Sequence, residues 1–303
     1  MRIFDYLFAA RPMLLLPIWS IYLVALNYHH ELSGGKFGWG NLGVMAGLSF
    51  LAAGAYYINQ IFDIKSDAAN QKLGFVQSGN VSVKSLMKLF LILSVIAIAF
   101  AVFYSKVIFF IYIQLFGLAV MYSAPPLRLK DRAISGLLAN AYSFGFLISI
   151  SVMPNITQHN AGLLGWDNPF YFFLAVMGVH ILTTLVDVDG DRAVGKKTIS
   201  VVLPRPIVVL LALFSFIGAA LVAFNSGYRL LVIIAVIAAL STSIVLLVGD
   251  IRLVKFSAKL PIIFLTFLAG YYYPFYLLFV VAIILATRAY YKKRFNIQYP
   301  GLT

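Results

Sequence analysis

Long apolar runs and short polar joints alternate along the whole chain. The runs lie near residues 12–30, 42–62, 84–104, 107–123, 134–153, 169–186, 206–225, 229–249 and 257–290. A helix of about 20 apolar residues crosses a hydrocarbon core of roughly 30 Å, so each run predicts a span. The last run is too long for one span and is interrupted by Pro261 and Pro274. It reads as a broken helix, a re-entrant piece plus a span, or two short spans. The pattern predicts an all-α polytopic integral membrane protein with about nine transmembrane helices. No Gly/Ser linker or shift in composition divides residues 1–303, so one domain is expected.

Composition agrees. Of 303 residues, 62% are apolar and 11% charged, against roughly a quarter charged in a soluble domain. A soluble enzyme with one compact core is excluded. Lys and Arg number 23 against 10 Asp and Glu, a net charge of +13. The basic residues occupy short loops rather than one stripe, which argues against nucleic acid and for the positive-inside rule. With the N-terminus inside, the inner loops hold Arg2, Arg11, Lys65, Lys72, Lys84, Lys88, Arg128, Lys130, Arg132, Arg192, Lys196, Lys197, Arg205, Arg252, Lys255 and Lys259. The tail residues Arg288, Lys292, Lys293 and Arg294 would suit an even number of spans; the earlier loops outweigh them, and nine is the expectation. Cysteine is absent, which excludes disulfides, thiolate nucleophiles and Cys-ligated metals. Residues 1–10 lack the core and cleavage site of a signal peptide, so none is expected.

Five of the ten acids fall in two short clusters, each where an apolar run meets a basic inner loop. Acids near membrane depth are costly and mark functional candidates. The first cluster is Asn59-Gln-Ile-Phe-Asp63-Ile-Lys-Ser-Asp67. Residues four apart share a helix face, so one amide and two carboxylates line the inner end of the second span. The second is Asp187-Val-Asp189-Gly-Asp191-Arg-Ala-Val-Gly195-Lys-Lys-Thr198. Asp187 and Asp191 share a face, and Asp189 points elsewhere unless Gly190 breaks the helix. An all-oxygen face suits a hard cation, Mg²⁺ before Zn²⁺. Converging carboxylates raise one another's pKa unless a counter-charge is present. Mg²⁺ supplies one and takes phosphate ligands, so a diphosphate bridging both clusters is the implied ligand. Arg128 and Lys130 on one loop, and Arg192, Lys196 and Lys197 on another, fit that anion. Pro125 and Pro126 stiffen the loop Tyr122-Ser-Ala-Pro-Pro-Leu-Arg128-Leu-Lys130 that would aim two of them. The four histidines have no metal-ligand spacing. His180 faces roughly the same side as Asp187, and packing or a helix hydrogen bond is its expected role. Gly34-Gly35 and Gly38 follow no strand and give no nucleotide-binding fingerprint.

The pair Asn59-x3-Asp63-x3-Asp67 and Asp187-x3-Asp191-x3-Gly195-x2-Thr198 resembles the two aspartate-rich motifs of the UbiA superfamily of intramembrane prenyltransferases. The Tyr122 to Lys130 loop is similar to the element between them, and Ala10-Arg11-Pro12 is similar near the start. After the first motif, Gln71-Lys72-Leu-Gly-Phe75-Val-Gln77-Ser78-Gly79 keeps Ser78-Gly79 but lacks the Arg-Pro that many members carry. The order matches across the whole chain, closest to the compact archaeal and bacterial enzymes.

The resemblance implies nine helices around a large central cavity, two Mg²⁺ and an isoprenyl diphosphate donor. Asn59, Asp63, Asp67, Asp187 and Asp191 would hold the metal, and Asp63, Asp67, Asp187 and Asp191 would serve catalysis. Arg128, Lys130, Tyr122, Arg192, Lys196 and Lys197 would meet the diphosphate, and Asp189 would take a proton from the acceptor. The expected reaction is prenyl transfer to an electron-rich aromatic, quinone-precursor or lipid acceptor, with diphosphate released. An allylic cation needs a dry π-rich wall, and 26 Phe, 18 Tyr and 3 Trp make one available. Membrane lipid is a partner, no nucleic acid or obligate protein partner is inferred, and the acidic motifs should face the cytoplasm of a cell membrane. The rival reading, a cation transporter, would place its acids near the bilayer midplane. Here Leu42 to Phe62 spans about 31 Å, which leaves Asp63 at the end. A CDP-alcohol phosphotransferase would need an Asp-Gly-x2-Ala-Arg run with downstream aspartates that this chain lacks; an accessory membrane scaffold is the remaining alternative.

Overall fold

The computed structural model describes residues 2–33, 35–69, 74–153 and 167–300. The Gln71-Lys72 part of the stretch after the first motif, Gly34 and His159 lie outside them. The described residues are helical apart from their turns, with one isolated β-bridge between Arg132 and Lys197. Fifteen helices follow one another: α1 Arg2–Ala9, α2 Leu15–Ser33, α3 Trp39–Phe62, α4 Ile64–Ala69, α5 Val83–Tyr104, α6 Lys106–Ser123, α7 Ala133–Asn140, α8 Ile148–Ile150, α9 Asp167–Val186, α10 Val188–Ala193, α11 Ile199–Val202, α12 Arg205–Asn225, α13 Arg229–Val248, α14 Ile251–Tyr272 and α15 Pro274–Phe295.

Ten segments among the described residues are long and apolar enough to cross a membrane. The first eight coincide with the runs read from the sequence. The long run at 257–290 resolves into two spans, α14 and α15, so the expected nine becomes ten. The two prolines act differently. Pro261 stays inside α14, whereas Pro274 opens α15. The residue before a proline is pushed out of the helical region, and Tyr273 sits at φ −131°, ψ 81°. An even count brings the basic tail to the same side as α1. There the Tyr290 hydroxyl donates to buried Asp5 at 2.5 Å, Arg294 pairs with Asp5 at 3.0 Å, and the rings of Phe8 and Tyr290 stack at 3.9 Å.

The helices close into a ring around a hollow. α2 packs on α3, α3 on α5 and α6, and α9 on α12, with α13 and α14 following. α14 returns to both α2 and α9, while α15 lies outside against α14. A seven-residue π-helical stretch, Ala141–Leu147, joins α7 to α8. Gly145 within it lies so close to α9 that a Cβ would stand 2.5 Å from the Phe172 carbonyl oxygen. This close approach aligns Ser143 and Phe144 with the hollow, whose wall they form. Phe103, Phe224 and Leu247 are among the most exposed side chains, as lipid-facing positions should be.

Candidate active site

Two long helices end alike. α3 stops at Asp63 (φ −103°, ψ 7°), and α9 is separated from α10 by Asp187 (φ −100°, ψ 5°). Each break is followed by a six-residue helix, α4 or α10. The helical hydrogen bond across each break survives. Asp67 N donates to the Asp63 carbonyl at 2.8 Å, and Asp191 N to the Asp187 carbonyl at 2.9 Å. Carboxylates four apart therefore stay on one face while the chain bends. α4 and α10 pack against each other, which brings the two clusters together.

A second pair of segments supplies cations. The loop after α6 turns through Arg128, which adopts a left-handed backbone (φ 41°), into a short 3₁₀ turn at Leu129–Asp131. Two residues beyond α10 comes Gly195, whose φ of 75° suits glycine, and the chain reverses so that Lys196 N donates to the Asp191 carbonyl at 3.0 Å. The two segments are stapled by Lys197 N donating to the Asp131 carbonyl at 2.8 Å. Gly136 lets α7 lie against this turn, since a Cβ there would stand 2.8 Å from the Leu129 carbonyl oxygen.

The result is a compact charge network. Lys130 Nζ lies 2.8 Å from Asp63 Oδ1 and donates to Asn59 Oδ1 at 2.6 Å. Lys196 Nζ spans the two clusters, 3.8 Å from Asp63 and 3.3 Å from Asp191. Arg11, also left-handed at φ 53°, reaches Asp67 at 3.8 Å. Asp63, Asp67, Asp191 and Lys130 are all buried, a state that charges tolerate only when paired. The lysines are shifted in opposite directions. Burial pushes Lys130 below its ordinary range, against the pull of Asp63. Burial also acts on Lys196, but Asp63, Asp191 and Asp131 together raise it.

These residues line a polar pocket of about 150 Å³ that also includes Asp187, Arg132, Thr184 and Thr198. Next to it lies a larger, mostly apolar cavity of about 500 Å³. Its aromatic wall includes Tyr56, Tyr122, Phe144, Tyr171 and Phe172, with Ile18, Ile21, Leu48, Leu51 and Leu265 among the aliphatic residues. Residues 171–187 of α9 and its break cover about 24 Å at 1.5 Å per residue, which gives the depth from the polar pocket to Tyr171. Arg11, Asn59, Tyr122, His180 and Thr183 line both spaces and so form the neck between them.

Of the residues expected from sequence, Asn59, Asp63, Asp67, Asp187, Asp191, Lys130, Lys196 and Tyr122 meet at this pocket. Four do not line it. Arg128 pairs with Asp131 at 2.6 Å on its own loop, and Asp189, Arg192 and Lys197 are exposed on or beyond α10. Arg11, Arg132, His180 and Thr183 were not among the expected site residues. The donor set fits a hard cation with phosphate: its acceptors are all oxygens, and the buried Thr198 Oγ1 has no hydrogen-bond partner. No three carboxylate or imidazole groups among the described residues close around one point. Lys130 and Lys196 stand among the acids instead.

Comparison with known proteins agrees with this geometry. The model of the UbiA prenyltransferase family matches residues 14–259. A protein of Oryza sativa subsp. japonica named probable homogentisate phytyltransferase 2, chloroplastic, is 28% identical over 77% of this chain. The chain spans 65% of that relative's length. Among solved structures, the apo form of a UbiA homolog from Aeropyrum pernix K1 superposes with a TM-score of 0.65 at 18% identity, covering 84% of this chain and 96% of that one. A UbiA homolog from Archaeoglobus fulgidus, bound to GPP and Mg²⁺, gives 0.62 at 16% identity, covering 88% and 99%. At these identities the likeness is one of fold.

Proposed function

The chain belongs to the UbiA prenyltransferase family, and we propose that it transfers an isoprenyl group from a prenyl diphosphate to an electron-rich acceptor within the membrane, releasing diphosphate. The observation that carries this reading is the junction of two unlike spaces. A polar pocket built from two aspartate clusters and two lysines opens through one neck into a deep aromatic and aliphatic cavity. An amphiphile with a diphosphate head and an isoprenoid tail fits that junction, and an inorganic ion alone would leave the cavity without a role.

In this reading Asn59, Asp63, Asp67, Asp187 and Asp191 would hold Mg²⁺, two ions as the family resemblance implies. The metal would supply the positive charge that offsets the diphosphate as its negative charge grows. Lys130 and Lys196 turn from the carboxylates to the diphosphate oxygens, and Tyr122, Arg11 and Arg132 border the same volume. Tyr56, Phe144 and Phe172 offer ring faces to the allylic cation and keep water away from it. The acceptor is aromatic, a quinone precursor or a lipid, and enters the same cavity. The chain works as one transmembrane domain in a cell membrane, its acidic motifs on the cytoplasmic side where the basic loops gather.

The test is binding and turnover of radiolabelled geranylgeranyl diphosphate by the purified protein in detergent, with Mg²⁺ or with EDTA. Metal-dependent binding that disappears in an Asp63→Ala/Asp191→Ala double variant is the expected result. A folded wild-type protein that binds neither this nor shorter prenyl diphosphates would overturn the proposal.

A further inference from the structure

α1 and α15 lie outside residues 14–259, the part of the chain that the family's model matches, and α15 is the span beyond the expected nine. The two helices meet through one guanidinium. Arg294 holds Asp5 of α1 with two contacts, Nε to Oδ1 at 3.0 Å and Nη2 to Oδ2 at 3.2 Å. The same Nη2 donates to Asn80 Oδ1, in the turn that leads from α4 into α5. A planar fork of donors suits two such partners at once. Asp5 is fully buried, and the Tyr290 hydroxyl is its other partner. Rings repeat both attachments. Phe8 of α1 stacks on Tyr290, and Phe75 of the turn stands edge-on to Tyr291 and Phe295 at 6.3 and 5.7 Å.

Each attachment continues into the first aspartate arm. From Asp5 the chain runs through α1 to Arg11, whose guanidinium reaches Asp67 at 3.8 Å. Along the way α3 grips the backbone of α1. The Tyr57 hydroxyl donates to the Tyr6 carbonyl at 2.9 Å, and Gln60, next to Asn59, donates to the Ala9 carbonyl at 2.5 Å. From Asn80 the turn leads back to Gln77, whose amide donates at 3.0 Å to the carbonyl of Ile64, the residue after the bend at Asp63. The second arm leans on α4 and α11 instead.

We propose that Arg294 is a positioning residue for the donor site: it clasps α1 and the turn 74–82 to α15, and through them holds Asp63, Asp67 and Arg11 in the arrangement that receives the diphosphate. This rests on the prenyl-transfer reading above. α4 has six residues, too few to hold a helix without outside support. Without the clasp the first arm samples other arrangements, and the donor must gather it on binding. Apparent affinity falls by the fraction of time that the site is competent.

The experiment uses the full chain in detergent with Mg²⁺ and radiolabelled geranylgeranyl diphosphate. Arg294→Gln removes the fork. It should raise the dissociation constant about tenfold with the number of donor sites per folded chain unchanged, as for an arm competent about one-tenth of the time. Asn80→Ala leaves Asp5 with both its partners and should weaken binding by a smaller factor. The absence of cysteine permits a second readout. Spin labels at Lys65→Cys on α4 and Ala193→Cys at the end of α10, both exposed, report the distance between the arms. The distribution should be narrow in the labelled parent, broader with Arg294→Gln, and narrow again with Mg²⁺ and donor. Wild-type affinity in Arg294→Gln, fewer sites at unchanged affinity, or an unchanged distance distribution would each overturn the proposal. Should Arg294→Gln fail to fold, wild-type affinity in Asn80→Ala would overturn it. Failure of wild type to bind the donor would instead overturn the parent reading.

Discussion

The arm formed by α3, Asp63 and α4 and the arm formed by α9, Asp187 and α10 share a backbone and differ in charge. Both bend at an aspartate with nearly the same φ and ψ, and both place a second aspartate one turn later. The residue one turn earlier is Asn59 in the first arm and Thr183 in the second, and both border the neck. Three cations reach the first arm. Lys130, Lys196 and Arg11 all reach carboxylates of the first arm, and Lys196 is shared with Asp191 of the second. The same bend is therefore used twice, while the loops decide how each arm is charged. Lys130 rests on the first arm and Lys196 lies between the two.

The comparison breaks most visibly at Asp63. Removing it takes the carboxylate partner from buried Lys130 and one of two from Lys196. Asp63→Ala should cost about 3 kcal/mol of stability, the scale of an uncompensated buried charge. It should also lower prenyl transfer by roughly 10²–10³-fold, the scale of one lost electrostatic contact at a transition state. Asp187→Ala should lose activity to a similar extent with a smaller change in thermal midpoint, since Asp187 is only half-buried. Equal midpoints for the two variants would show that the two arms contribute alike to stability.

The lysines come next. Lys130→Met and Lys196→Met should each weaken Mg²⁺-dependent binding of geranylgeranyl diphosphate by roughly tenfold, or about 1.4 kcal/mol, measured by titration in detergent. Lys196 touches both arms and couples Asp63 to Asp191, so in its variant the effects of changing Asp63 and Asp191 should become additive. Asn59→Leu and Thr183→Val then ask whether the arms correspond beyond their backbones. Weaker donor binding in both, by severalfold, supports correspondence; a silent Thr183→Val confines the likeness to the bend.

The smallest effect is in pH. Lys196 is raised above its ordinary value of 10.5, so its charge stabilises the fold fully below that pH and loses the effect as pH rises beyond it. Lys130 is lowered, so its buried charge opposes folding until the proton leaves, which happens at a lower pH than for Lys196. Melting curves of wild type and Lys196→Met should thus differ at neutral pH and converge above about pH 10.5. A constant gap across that range would contradict the sign.

The apolar runs were legible because a membrane leaves few ways to satisfy a backbone, and the acid clusters because a spacing of four survives even where the helix bends at Asp63 and Asp187. The tenth span was one of three readings left open for the last run, since the same residue type keeps α14 intact at Pro261 and starts α15 at Pro274. That choice is made by the surrounding packing. Among the loop cations, the sequence could not separate Arg128 from Lys130. The left-handed turn at Arg128 leaves its side chain on Asp131 and aims Lys130 at the pocket. Arg11, Arg132 and His180 lie far apart in sequence, and the fold alone gathers them. His180 did carry a signal, one face with Asp187 two turns on, but an isolated histidine in an apolar run reads first as packing.

Asp5 and Arg294 are separated by 289 residues, and this has a consequence in time. At 5–20 residues per second, roughly 15–60 s pass between the synthesis of the carboxylate and that of its guanidinium partner. During that interval α1 can pack on α3 through Tyr57 and Gln60, but Asp5 and the stacking face of Phe8 wait for α15. The last helix supplies the final contacts of α1: until Tyr290 and Arg294 are made, the carboxylate of Asp5 lacks its hydroxyl and guanidinium partners.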